Sequence, residues 1–451
     1  MLSLSHTLVF FLLALSILIA FHEFGHFLVA RKLGVRVLRF SVGFGKPLLR
    51  FQKSPESTEF VLAAIPLGGY VQMLGEKEEG SEATPDAFFN QSVWVRMAIV
   101  LAGPIFNLML AIFIYWMIFV TGETGMRPVL SQPPQNTLAA TAGFNAEDEI
   151  LAIDGQKTPT WSSAMTSLFT EMLDHEDIQV EVRQIDGSVV VRDLLIPQAI
   201  SNDPSLMHEK LGLQPWNPPI PPVLNEVQAD MPAAQAGLQT NDLILTADGQ
   251  QITNWQQWVE YVRDRPDVEI QVLIDRDGVE IPVTLVPAKL ETEAGTIGRI
   301  GVTVLFPESL LTDLHVEYQL GFLEAAKAAF NRTFDISVVS LKMMGRILTG
   351  DAPVKNLSGP ISIAQYAGKS ASMGATEFLK FLALVSISLG VLNLLPIPML
   401  DGGHFAFYLI EAIKGNPVSE QIQLLAQQVG IAILLSLMCL TFYLDIERLV
   451  N

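Results

Sequence analysis

Two histidines four residues apart, with a glutamate directly after the first, are the chain's clearest chemical signal: His22-Glu23-Phe24-Gly25-His26. On a helix this spacing puts both imidazoles on one face, where they can share a metal ion, and leaves Glu23 close enough to move a proton. The motif lies within residues 7–30, a run otherwise apolar enough to cross a bilayer. Ionisable groups at membrane depth are expensive, so a functional site is the expectation there. A catalytic zinc site uses three protein ligands and keeps one position open, so two histidines leave it incomplete. The third ligand is expected at Asp401, directly after Asn393-Leu394-Leu395-Pro396-Ile397-Pro398-Met399-Leu400. Two prolines there break a helix in or near the membrane, which is tolerated only where the backbone meets protein or a polar cavity. His404 is assigned to packing and not to ligation.

The elements that must position these residues are apolar. Half of the 451 residues are hydrophobic, 17% are charged, and mean hydropathy is positive, which predicts membrane spans. Four runs qualify: residues 7–30, 97–120, 381–400 and 429–444. The last is short and would need the preceding turn at 424–428 or local thinning. The first is too long for a signal-peptide core, and residues 1–6 carry no Lys or Arg, so it is taken as retained. Seven basic residues (Arg31, Lys32, Arg36, Arg39, Lys46, Arg50, Lys53) and no acidic ones follow it. That loop is expected on the cytoplasmic side, with the histidines near the inner end of the first span. The net charge of −19 comes mostly from residues 123–351 and argues against nucleic acid as a partner. The single cysteine, Cys439, cannot form an internal disulfide.

Between the second and third runs the chain repeats itself. A shift of 94 residues aligns Pro128-Val129-Leu130 with Pro222-Val223-Leu224 and Asp154-Gly155-Gln156 with Asp248-Gly249-Gln250. There are fourteen identities over 34 ungapped positions. Each copy reads as strand, small-residue turn, short strand, Asp-Gly turn, helix and hairpin, and resembles a PDZ domain of the bacterial periplasmic-protease type. Such domains bind peptides at a sheet edge beside a helix, although a spacer role is the plainer alternative. A Pro-rich joint at 215–222 separates the copies. Residues 310–372 read as helical and amphipathic, lying along the membrane surface.

Taken together, HEFGH, the Asn-x-x-Pro-x-Pro-x-Leu-Asp-Gly-Gly-His stretch from Asn393 and the Gly103-Pro104-x-x-Asn107 pattern resemble the site-2 protease family of intramembrane zinc metalloproteases. The tandem PDZ-like copies and the Asn356-Leu357-Ser358-Gly359-Pro360-Ile361-Ser362 stretch resemble its sigma-E-regulating branch in Gram-negative bacteria. The resemblance implies Zn2+ held by His22, His26 and Asp401, Glu23 as general base, and Asn393 orienting substrate backbone or stabilising the oxyanion. It implies an endopeptidase of the inner membrane, its site near the cytoplasmic face and its PDZ-like pair periplasmic. The substrates would be transmembrane peptides: anti-sigma factors already cut outside, and leftover signal peptides.

The expected fold is a four-span α-helical membrane protein with a membrane-associated β-hairpin and two PDZ-like α/β domains. Residues 1–30 are the first span, 31–94 a cytoplasmic region with the re-entrant hairpin, and 95–121 the second span. Residues 122–216 and 217–309 are the PDZ-like domains and 310–375 an amphipathic connector. Residues 376–401 are the third span, 402–425 a cytoplasmic loop and 426–446 the fourth span. Substrate unwound from its helix needs a strand to pair with, expected at Val61, Leu62, Ala63 and Ala64, with Gly68 and Gly69 permitting close approach. Two rival functions are a membrane-anchored binding protein with a silent metal site, against which Glu23 speaks, and a metal transporter, which would need more polar spans.

Overall fold

The computed structural model describes residues 4–75, 84–201, 210–292, 295–307, 310 and 313–450. Helix α1 (Leu4–Lys32) is uninterrupted and ends on two basic residues, Arg31 and Lys32, which suit a helix C-terminus. Strands β1 (Val37–Phe51) and β2 (Glu59–Met73) follow. They make more than a hairpin, because both fold back on themselves. Residues 37–42 pair antiparallel with 69–73 and run beside 59–62 in the same direction, while 47–51 pair antiparallel with 60–63. Two strands thus give four ribs. Gly43 and Gly45, at φ 94° and 88°, supply the bend in β1. Glu59, buried between the ribs, pairs with Arg39 at 2.6 Å and with Arg50.

Helix α2 (Val93–Thr121) starts at a Ser92 cap and leads to β3 (Glu123–Met126). Two similar units come next. The first contains β4 (Glu149–Ile153), β5 (Gln156–Lys157), α3 (Trp161–Glu171), β6 (Asp177–Arg183) and β7 (Val189–Leu195), in sheet order β5-β4-β6-β7. The second opens with β8 (Leu224–Val227), followed by β9 (Leu243–Ala247), β10 (Gln250–Gln251), α4 (Trp255–Arg263), β11 (Ile270–Arg276) and β12 (Val279–Leu285), in order β10-β9-β11-β12. The match reaches single pairs 94 residues apart, since Val129 bridges Glu149 and Val223 bridges Leu243. Each unit has its own core, around Phe144 and Leu168 in the first and Trp258 and Ile274 in the second. A hairpin of β13 (Ala288–Thr292) and β14 (Gly295–Arg299) follows, and β15 (Val302–Val304) closes against β8.

The chain returns through β16 (His315–Tyr318), antiparallel to β3, so residues 310–372 are not helical throughout. Helix α5 (Phe322–Thr349) buries Ala325, Ala329 and Thr333 at four-residue spacing and exposes Leu323, Phe330, Phe334, Leu341 and Leu348. Helices α6 (Pro360–Met373), α7 (Ala375–Leu394), α8 (Asp401–Lys414) and α9 (Glu420–Val450) complete the chain. Among the described residues, α1, α2, α7 and α9 are long and apolar enough to cross a membrane. Three boundaries differ from the sequence reading. The third span runs 375–394, not 381–400, because Pro396 and Pro398 end it early. Residues 401–414, expected as loop from 402 onward, are helical. The fourth span has no turn at 424–428 and continues unbroken through 31 residues.

Candidate metal centre

Close packing of α1 on α2 comes first, and it depends on glycine. A Cβ on Gly25 would stand 2.5 Å from the Ala102 carbonyl oxygen, and one on Gly103 would strike both imidazoles. Without those Cβ atoms the two helices meet, and α2 reaches the histidines with its Ile99, Gly103 and Asn107 face. His26 Nδ1 donates to the Ile99 carbonyl at 2.8 Å, which leaves its Nε2 lone pair free. His22 Nδ1 lies 3.3 Å from the Asn107 amide nitrogen, while Asn107 Oδ1 is buried with no partner. With that amide turned over, Oδ1 would accept from His22 Nδ1–H and leave Nε2 free, the tautomer a metal ligand needs.

Asp401 completes the cluster from the far end of the chain. Its Oδ2 is 3.1 Å from His22 Nε2 and 3.6 Å from His26 Nε2, and the two Nε2 atoms are 3.3 Å apart. Three atoms able to ligate a metal face one another there. Donors about 2 Å from a tetrahedral zinc stand roughly 3.3 Å from each other, so these residues fit a metal ion. Among the described residues this is the cluster with metal-binding geometry.

Asp401 is the first residue of α8, and the connection that delivers it is cramped. Met399 takes a φ of 98°, unusual for a side-chain-bearing residue. A Cβ on Gly402 or Gly403 would collide with the carbonyls of Leu394, Leu395 or Ile397. Ten residues on, Glu411 forms a two-pronged ion pair with Arg96 of α2, at 2.5 and 3.2 Å, both side chains largely buried. The Arg96 guanidinium also lies 4.8 Å from the centre of the Tyr408 ring. One helix carrying the histidines' neighbours is thereby fastened to the helix carrying the carboxylate. Sequence reasoning passed over this pair, whose members are 315 residues apart. The Gly103-Pro104-x-x-Asn107 pattern marks Asn107 in the sequence without revealing its contact with His22.

The remaining expected residues are placed as follows. Glu23 is half-buried beside His22, its Cγ 2.8 Å from where a Cβ on Gly69 would stand. Asn393 is half-buried in the last turn of α7, one turn beyond Gly390, which abuts Pro104 and Leu108. Gly68 lies under the Phe44 ring. Val61 and Leu62 are paired on both sides, with Ser41 and Arg50 and with Val42 and Leu49, and Ala63 pairs with Pro47. Those positions are therefore an interior rib, and the rib next to Glu23 with an outer side is 69–73. Ala64 follows the interior rib and is exposed. His404 is outside the donor cluster and lines a small cavity with Arg96, Tyr408 and Glu411.

The profile of peptidase family M50 matches residues 10–437. The chain is 42% identical to the regulator of sigma-E protease RseP of Salmonella typhimurium (strain 14028s / SGSC 2262), over 100% of both chains. It is 42% identical to the regulator of sigma-E protease RseP of Escherichia coli K12, again over 100% of each. A putative zinc metalloprotease of Vibrio cholerae is 39% identical over 97% of this chain and 98% of that one. With the profile matched over nearly the whole length and the ligand cluster assembled, the chain belongs to peptidase family M50 and is a multi-pass membrane metalloprotease.

Proposed function

We propose that His22, His26 and Asp401 hold zinc and that Glu23 serves as general base in cutting single-span membrane proteins within or near their apolar segments. The observation that carries this reading is the convergence of three potential ligand atoms, two imidazole nitrogens and a carboxylate oxygen, with a glutamate on the same helix as the imidazoles. When bound, zinc supplies Lewis acidity at the reacting carbonyl and water. Glu23 takes the proton from the attacking water and passes it to the leaving amine. Asn393, at the end of α7, offers amide donors to the substrate backbone. The basic run from Arg31 to Lys53, just past the histidines, supports a site near the cytoplasmic face and outer-side β units.

Those units act as PDZ-like modules, by peptide capture or as a size filter that turns away bulky outer domains. Similarity to the sigma-E regulators favours anti-sigma-factor-like substrates shortened by an earlier external cut, and leftover signal peptides. Substrate backbone, once unwound, pairs with the outer side of residues 69–73, where Gly69 lets the rib lie against Glu23. Two experiments test this. Glu23→Gln keeps one metal per chain by elemental analysis and abolishes cleavage of a reconstituted single-span substrate; residual wild-type cleavage overturns the assignment. Proline at 70, 71 and 72 in turn lowers cleavage at constant metal content, and full activity in all three removes the pairing scheme.

A further inference from the structure

We propose that a cavity beneath the inner end of α1 holds the headgroup of an anionic phospholipid. The cavity, about 450 Å³, is lined by Arg31 at the end of the helix, Arg36 just before β1 and Lys53 just after it, together with Glu56, Phe51 and Phe60. Three cations against one carboxylate leave an excess of two positive charges. The nearby Glu59 does not offset it, being already paired with Arg39 and Arg50. Arg31 lies over the Phe27 ring at 5.6 Å and Arg36 donates to the Glu56 carbonyl at 3.4 Å, contacts that orient two of the lining cations.

A second observation fixes the depth of this cavity and hence the kind of ligand. Phe51, which lines the cavity, ends a rib that exposes Leu48, Leu49 and Phe51 at 65%, 68% and 67%, and Leu33 at the end of α1 is also exposed. Apolar side chains left exposed on both faces of an edge rib are at home in acyl chains and not in water. With that rib dipping into acyl chains, the cations beside it would stand at the headgroup level, where basic pockets recognise lipid phosphate. Its volume lies within the range of small-molecule sites. A soluble phosphate would satisfy the cations but leave the apolar wall unused. A zwitterionic lipid would leave the net charge uncompensated. A glycerophospholipid bearing net negative charge uses both.

The full-length protein, reconstituted in nanodiscs holding equal phosphatidylglycerol and phosphatidylcholine, is released into detergent and its retained lipids are counted by native mass spectrometry. Wild type is expected to retain phosphatidylglycerol at least tenfold over phosphatidylcholine. Combined Arg31→Gln, Arg36→Gln and Lys53→Gln should remove that preference at unchanged metal content, the corresponding Arg→Lys pair should keep it, and Glu56→Gln should strengthen it. Equal retention of both lipids by wild type, or an undiminished preference in the triple variant, overturns the proposal. So does displacement of the lipid by millimolar glycerol phosphate, which would assign the cations to a soluble anion.

Discussion

The Ile99 carbonyl fixes one proton of His26, and Asn107, with its amide turned to present Oδ1, would fix that of His22, so that each imidazole leaves Nε2 facing Asp401. Such outer partners set ligand orientation and basicity, and their loss typically costs about 10–100-fold in metal affinity. Asn107→Ala should therefore weaken zinc binding by about that factor, measured by competition with a chelator, while Asn107→Asp, which keeps an acceptor, should lose less. The three candidate ligands were legible in the sequence because the signals are local. Four-residue spacing inside an apolar run marks the histidines, and two prolines ahead of a carboxylate mark Asp401. Asn107's partner is 85 residues away, and no local pattern announces such a contact. The strand expectation failed at Val61 and Leu62 for a related reason. Alternating apolar residues identify a strand, but which of its sides is free is decided by a fold-back that only the tertiary pairing reveals.

Among the elements, α8 has the most exacting placement, since it carries Asp401 at its first residue and Glu411 three turns later. Arg96→Ala would leave that carboxylate buried without a counter-charge, a change that typically costs about 3–5 kcal/mol. The expected outcome is a lower unfolding midpoint together with easier loss of metal to a chelator. Exchanging the pair, Arg96→Glu with Glu411→Arg, should recover part of both, which a mere loss of packing would not. A second fastening holds α9. Asp445, 1% exposed, accepts from the backbone N–H groups of Gly359, Ile361 and Ser362 and from the Ser362 hydroxyl, capping the start of α6. Spans and their order were legible from hydropathy. Helix α8 was not, because Asp401-Gly402-Gly403 reads as a turn, whereas both glycines are there to let a helix start against the carbonyls before it.

In the whole molecule, β3 and β16 pair where the long β-rich insertion leaves the helical bundle and where it comes back. Exit and return thus lie side by side, and the bundle does not rely on the insertion to close. Replacing residues 128–312 by a short Gly-Ser bridge should keep one metal per chain. The links lost between α5 and the first unit include Lys342 to Asp174 and Arg346 to the Leu173 carbonyl and the Ser201 hydroxyl, none of them a contact of the donor cluster. Loss of metal on excision would show that the units brace the site. The 94-residue repeat was readable because fourteen identities survive where cores and turns demand them, and the two sheets share one strand order. Finally, the imidazoles come from positions 22 and 26 and the carboxylate from 401. A growing polypeptide on the ribosome therefore exposes the two histidines long before it can grip a cation. The three-donor cluster can assemble only after α8 has been made.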